Sequence, residues 1–258
     1  MILLDKLPAS DSINTIAKNG GRYYNIADGI ELYSLPSVTT IIGSMSDSTW
    51  LEEWKKRIGE KEAEKISQYS VRRGELMHLM CEKFCSFPFT VDKKERVREA
   101  VKFAKEYADK NGMEEKEFIS GRGLFYNFFL CADFDKIREI VMQESPLYSL
   151  QGGGYAGRVD MIYYNRKGEL IVADYKTSKK PKRYEDIDSY KMQIAAYTIA
   201  FWELTGERPH HGEIWISNES DHLSQIFDIS FSEIKIFYKR FIEMVKGYHE
   251  KFKINQIT

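Results

Sequence analysis

The chain has 258 residues, of which 43% are hydrophobic and 30% charged, with a formal net charge of −1. That length holds one large domain or two small ones, and the composition is that of an ordinary globular protein, which excludes disordered, collagen-like and disulfide-scaffold classes. A near-neutral total also excludes a general basic coat for nucleic acid, so any affinity for phosphates must be local or carried by a metal.

In chain order, residues 22–26 and 30–34 read as a hairpin around the turn dipeptide Asp28-Gly29. Pro36-Ser37 opens a short helix over residues 38–42. Helical patterning resumes at Thr49, where Thr49-x-x-Glu52 fits a capping box, and runs with interruptions to about Cys85, with Pro88 as a stop. A further helix spans about residues 93–110 and ends at Asn111-Gly112. Residues 120–136 are aromatic-rich and ambiguous.

The texture then changes. Residues 137–144, 155–164 and 169–177 are rich in β-branched and aromatic side chains between Gly, Pro and Asn, and read as strands. Residues 186–205 are helical by period, 213–217 and 223–229 read as two more strands, and an amphipathic helix covers about 232–253. This order predicts an α/β fold with a mixed central sheet flanked by helices and a helical N-terminal layer. The change divides the chain into residues 1–136, hairpin and helical layer, and residues 137–258, the core, within one compact unit.

No apolar run reaches the roughly 18–20 residues of a membrane span. Met1-Ile2-Leu3-Leu4 meets Asp5 and Lys6 too soon for a signal-peptide core. Three cysteines, Cys81, Cys85 and Cys131, are an odd set that fits free thiols and a reducing compartment. A cytoplasmic location is expected, a host cytoplasm if the protein is viral.

The segment that carries chemistry is Gly157-Arg158-Val159-Asp160, followed by Leu170-Ile171-Val172-Ala173-Asp174-Tyr175-Lys176. A buried strand rarely holds an acid such as Asp174 without a partner or a metal. Residues two apart share a strand face, so Asp174 and Lys176 project together while Tyr175 offers only its backbone carbonyl to that side. If the connection is residues 165–169, Tyr164 faces Leu170 and Asp160 falls opposite Asp174, with Cβ atoms about 4.5–5.5 Å apart. A four-residue loop would put the two acids on opposite faces. Two carboxylates and a carbonyl suit Mg²⁺ or Mn²⁺. Such an ion activates water against a phosphodiester, and Lys176 would position or deprotonate that water. The plainer alternative is a surface hairpin with an Asp–Lys ion pair.

Gly157-x-Val159-Asp160 with Asp174-Tyr175-Lys176-Thr177-Ser178 resembles the core motif of RecB-like PD-(D/E)XK nucleases. Gln193-Ile194-Ala195-Ala196-Tyr197 resembles their following helix motif, and Arg73-Gly74-x-x-x-His78-x-x-x-Glu82 their upstream histidine motif. Leu35-Pro36-Ser37-Val38-Thr39 is similar to the N-terminal signature of the mitochondrial genome maintenance exonuclease group and its phage relatives. The resemblance covers residues 35–205 in order. It implies a restriction-endonuclease-like core and a divalent-metal-dependent DNA exonuclease, usually preferring single-stranded ends.

In that family the position of His78 ligates the metal; a lone histidine on such an apolar helix face is more often a hydrogen-bonded core residue. Glu82, one turn later, would orient His78 or a metal-held water, or be solvated. Glu144 matches the early acid of the core and would bind a metal-held water, or serve as an edge-strand charge. The resemblance thus implies a metal set of His78, Asp160, Asp174 and the Tyr175 carbonyl. Expected DNA contacts are Ser37 and Thr39 at a helix N-terminus, Arg73, Arg158, Gln193 and Tyr197. Lys179 and Lys180 join them from the basic stretch that leaves the active-site strand. Tyr190 shares the Gln193 face and reads equally as core.

The chain departs from the family in two places. No cysteine follows Cys131, so the iron–sulfur cluster of many RecB-like nucleases cannot be built. Glu75 replaces a small hydroxyl residue. There is no helicase motif and no Gly-rich phosphate loop, so no nucleotide cofactor is expected, and protein partners are not indicated. Two other readings stay open: a structure-specific or sequence-specific endonuclease, and a nucleic-acid-binding module with a decayed site, against which the complete Asp–Asp–Lys set argues.

Overall fold

The structure, a computed structural model, describes residues 14–28, 31–47 and 49–252. It begins with a three-stranded antiparallel sheet of β1 (Asn14–Lys18), β2 (Gly21–Asp28) and β3 (Glu31–Pro36). The expected hairpin is β2–β3, closed by the Asp28–Glu31 pair; Gly29 of its turn lies outside the described residues. β1 was not expected from the sequence.

Helix starts follow side-chain caps. The Ser37 hydroxyl accepts the Thr40 N–H at 3.0 Å and opens α1 (Val38–Met45). Thr49 is the first helical residue of α2 (Thr49–Ile58) rather than its cap, because the Asp47 carboxylate accepts its N–H at 2.9 Å. Gly59, at φ +88°, separates α2 from α3 (Glu60–Cys85). Asp92 accepts from the N–H groups of Lys94 and Glu95 and starts α4 (Lys93–Lys110). The ambiguous residues 120–136 are the end of α5 (Glu115–Leu130) and a 3₁₀ turn over Asp133–Lys136. Their helical period is blurred because α5 is buried on two sides: Phe125 and Phe128 reach both α3 residues and Trp215 of the main sheet.

The main sheet has the order β4-β5-β6-β7-β8, with β4 (Ile137–Ser149), β5 (Tyr155–Asn165), β6 (Leu170–Ser178), β7 (His211–Asn218) and β8 (Ser224–Ser230). All pairs are antiparallel except β6–β7, which is parallel and joined by the crossover helix α6 (Asp188–Thr205). α7 (Phe231–Phe252) ends the described chain. β4 runs beyond the expected end at Glu144 to Ser149, through Pro146, which an edge strand tolerates because a missing N–H costs nothing on the unpaired side.

Alternation along β6 assigns the two faces. Ile171, Ala173 and Tyr175 pack with Met80, Phe84 and Phe125 from α3 and α5, while Leu170 and Val172 pack with Ile194 of α6 and Phe241 of α7. This is the restriction-endonuclease-like core: a mixed sheet between helices, with an N-terminal helical layer on one face. Both clusters draw on residues from each side of position 136, such as Met80 with Tyr175 and Val38 with Phe241. Among the described residues no helix is long and apolar enough to cross a membrane.

The α3–α5 contact is close because Gly121 has no side chain. A Cβ there would lie 2.8 Å from both the Arg73 carbonyl oxygen and the Leu76 Cβ, whereas one at Gly123, in the same helix, would meet nothing within 4 Å. Gly121→Ala should therefore destabilise the fold by about 1–3 kcal/mol. Gly123→Ala should stabilise it by about 0.5–1 kcal/mol through helix propensity. Urea unfolding of the two variants checks the opposite signs.

Candidate active site

The β5–β6 pairs run Tyr164–Leu170, Tyr163–Ile171, Ile162–Val172 and Met161–Ala173. This is the register expected from a connection over residues 165–169, and its next row sets Asp160 against Asp174. On the other side, the pairs Gln143–Met161 and Ser145–Val159 bracket Glu144 and Asp160. Three acids, Glu144, Asp160 and Asp174, thus occupy one row across three strands. Like charges directly opposed in a sheet repel, and the ladder yields here. The β5–β6 pairs stop one row short, and the Tyr175 N–H donates to the Asp160 carboxylate at 2.7 Å. Glu144 takes φ +44°, a left-handed conformation that costs a non-glycine residue about 1–2 kcal/mol. Val159 and Met161, two apart, pack in opposite clusters, so the strand alternation changes phase at Asp160.

That phase change leaves Asp160 reachable from both faces. From α3, His78 Nδ1 stands 3.6 Å from Asp160 Oδ2 and 3.9 Å from Glu144 Oε1, with its ring edge-on to Tyr175. Burial works against a charge on His78, but Asp160 and Glu144 together outweigh it and push the imidazole up to about 10. From α6, Gln193 Nε2 donates to Asp174 Oδ1 at 2.9 Å, and Lys176 donates to the other oxygen of Asp174. Asp174 is fully buried, and burial, reinforced by the Asp160 charge, raises it to about 7 despite Lys176. Burial also opposes the charge on Lys176, yet Asp174 and then Asp160 hold it above the ordinary lysine range. In this setting Lys176 is a charged donor rather than a free amine.

His78, Glu144 and Asp160 each offer a ligand atom, and these atoms lie within 4.8 Å of one another. Opposite ligands of a Mg²⁺ stand about 4.2 Å apart, so this set needs only a small inward adjustment. Two carboxylates and one imidazole suit Mn²⁺ as well as Mg²⁺. A second group among the described residues, His211, Glu213 and Asp228, has similar spacing but a different state. The Glu213 carboxylate already accepts from Lys136, Tyr163 and Trp215. Burial disfavours its charge, but His211, Lys136 and these hydroxyl and indole donors hold it near 2. It is a satisfied structural anion.

A family model described as the PD-(D/E)XK nuclease superfamily matches residues 50–246, more than half of the chain. The chain belongs to this superfamily. No curated protein matches it. A solved structure titled "Crystal structure of SSO0001" is similar over 63% of this chain and 72% of its own, at 18% identity and a TM-score of 0.35.

The acid row of this nuclease opens into a cleft of about 820 Å³ between α3, the small sheet and the ends of β5 and β6. Of the expected contacts, Ser37, Thr39, Arg158, Gln193 and Tyr197 line the cleft with Glu82 and Glu144. Ser37 is buried and committed to capping, while Thr39 and Arg158 are exposed. The Tyr197 ring is buried against Gly157, where a Cβ would lie 2.6 Å from it, and its hydroxyl accepts from Gln193 Nε2 at 3.4 Å. Tyr197 thus supports Gln193 rather than presenting an open stacking surface. Arg73 is turned inward: it is buried, ion-paired with Glu219 and stacked on Tyr69. Its guanidinium is not open to a backbone phosphate. Lys179 and Lys180 are exposed beyond β6 and do not line the cleft. Burial raises the Glu82 carboxyl, and Glu144 adds to the effect. Sequence reading missed Arg22 and Tyr24 of β2 and Ser70 of α3, which line the cleft with no motif spacing to mark them.

His78 keeps its proton below about pH 10, and a ligating imidazole must be neutral. Its charge therefore supports the metal-free fold fully below its ordinary pKa and less as pH climbs toward 10. Metal binding has the opposite slope: affinity for Mn²⁺ should rise by up to about tenfold per pH unit as one proton is displaced. Above about pH 8, where Asp174 is already ionised, calorimetry in buffers of different ionisation heat should show that proton released, and His78→Ala should abolish its release.

Proposed function

We propose that this chain is a Mg²⁺- or Mn²⁺-dependent deoxyribonuclease that degrades single-stranded DNA from its ends. Membership of the nuclease superfamily supports hydrolysis of a nucleic acid. The observation that carries the reading is one cleft holding both a three-donor set within 4.8 Å and a charged lysine two residues along β6 from the last acid of the row.

In this reading His78, Glu144 and Asp160 would hold the cation, with Asp174 and the Tyr175 carbonyl, expected from the sequence as further ligands, next to it and bonded to Lys176 until it binds. When bound, a divalent cation polarises the scissile phosphate and activates an attacking water. Before a cation binds, charged His78 keeps Asp160 anionic against the effect of burial, and the Tyr175 N–H fixes one of its oxygens. Gln193 orients Asp174 from the opposite side. Lys176 brings a protonated amine to the phosphate oxygens, where charge develops during attack. Glu82, beside Glu144 in the same cleft, orients water. Free thiols at Cys81, Cys85 and Cys131 support a reducing cytoplasm as the setting.

Purified protein with Mg²⁺ should shorten linear single-stranded DNA and leave circular single-stranded DNA intact, and chelator should stop it. Lys176→Ala should lower the rate by about 10²–10³-fold. Cleaved circles would replace the exonuclease with an endonuclease. Digestion unchanged by chelator or by loss of Lys176 would overturn the mechanism.

A further inference from the structure

A second groove, about 680 Å³, lies against the cleft on its small-sheet side. The two share Thr15, Arg22 and Thr39 in their linings and therefore adjoin at these residues. The groove has a small, uncharged floor of Ala17, Gly20 and Gly21 with Ile16 beside it, hydroxyls from Thr39 and Thr40, and one cation, Arg22.

Arg22 is built in from both sides of its backbone. Its N–H donates to the Thr40 hydroxyl at 3.0 Å, and its carbonyl accepts the Ser37 N–H at 2.8 Å. Ser37 in turn bridges to Ala156 of β5. Gly21 permits this contact, since a Cβ there would overlap the Thr40 side chain. The Arg22 side chain is exposed and, among the described residues, has no side-chain partner. A cation on a pinned backbone, left unpaired where two grooves meet, is suited to a passing anion. Along the frame, Ala156 is four residues from Asp160, about 13 Å, and Arg22 lies two strand spacings, about 10 Å, to the side.

The geometry points to a second subsite for the substrate strand: its sugar–phosphate backbone leaves the acid row past Thr39, sets a phosphate on Arg22 and continues along the β1–β2 groove. The contact at Arg22 is to the phosphate, which carries no sequence information, so recognition there is independent of base sequence. The inference rests on the nuclease reading and adds to it a length requirement.

The test is fluorescence anisotropy of labelled single-stranded DNA of about 4 to 16 nucleotides, with Ca²⁺ in place of Mg²⁺ to hold back cleavage. One phosphate contact on a single strand adds about 0.7 to the slope of log affinity against log salt. In the native protein that increment should appear once the oligonucleotide is long enough to reach Arg22. Arg22→Ala should remove it from long oligonucleotides only, and Arg22→Lys should restore it. A thermal melt of each variant reports folding separately. The subsite is overturned if the native protein binds and cleaves DNA while Arg22→Ala keeps the native salt slope at every length. A native protein that neither binds nor cleaves DNA defeats the nuclease reading itself, and this subsite with it.

Discussion

Three carboxylates in one row of a sheet are the constraint from which the rest of this structure follows. At a separation of 4–5 Å and an effective dielectric near 20, each like-charged pair costs roughly 4 kcal/mol, against a total stability of about 5–15 kcal/mol for a typical domain. The fold meets the cost in two ways. The strands loosen at that row, with a left-handed Glu144 and a β5–β6 ladder that ends one step early. Two cations, His78 and Lys176, are brought against the acids from different elements. A divalent ion answers the same repulsion more completely, and so the strain of the metal-free site and its fitness for metal have one cause.

Delivering His78 places a demand on the helical layer. α3 must lie close enough to the sheet for its imidazole to reach across Tyr175 to Asp160, and α5 presses it there through the side-chain-free surface at Gly121. On the other face Gly157 has the matching role, admitting the Tyr197 ring so that Gln193 meets Asp174. The glycines at 121 and 157 are thus packing requirements. Gly74 is not, since a Cβ there would meet nothing nearer than Thr177 at 3.9 Å.

Much of this was legible in the residues. Alternation over Leu170–Lys176 set Asp174 and Lys176 on one face, because that depends only on the period of two of a strand; Asp160 fell opposite Asp174 only for a connection over residues 165–169, and the strand pairing selects that register over the four-residue alternative. The long amphipathic helices were equally plain. Two kinds of feature were not. α5 was obscured because burial on two sides erases the polar stripe that marks a surface helix, and the part of β4 beyond Glu144 was hidden by Pro146, which only an edge position tolerates. Arg73 was read as a DNA contact from its motif neighbours, but Glu219, far along the chain, claims it.

The sequence by itself determined that Asp174 and Lys176 share a strand face and which helix carries the histidine, since each is a matter of local period and spacing. Only the tertiary structure decided that Glu144 joins His78 and Asp160 as a donor set, that Asp174 is held by Lys176 and Gln193, and that Arg22 faces the cleft. Those relations depend on a bulged edge strand, a phase change at Asp160 and the docking of a small sheet, none of which leaves a period in the chain.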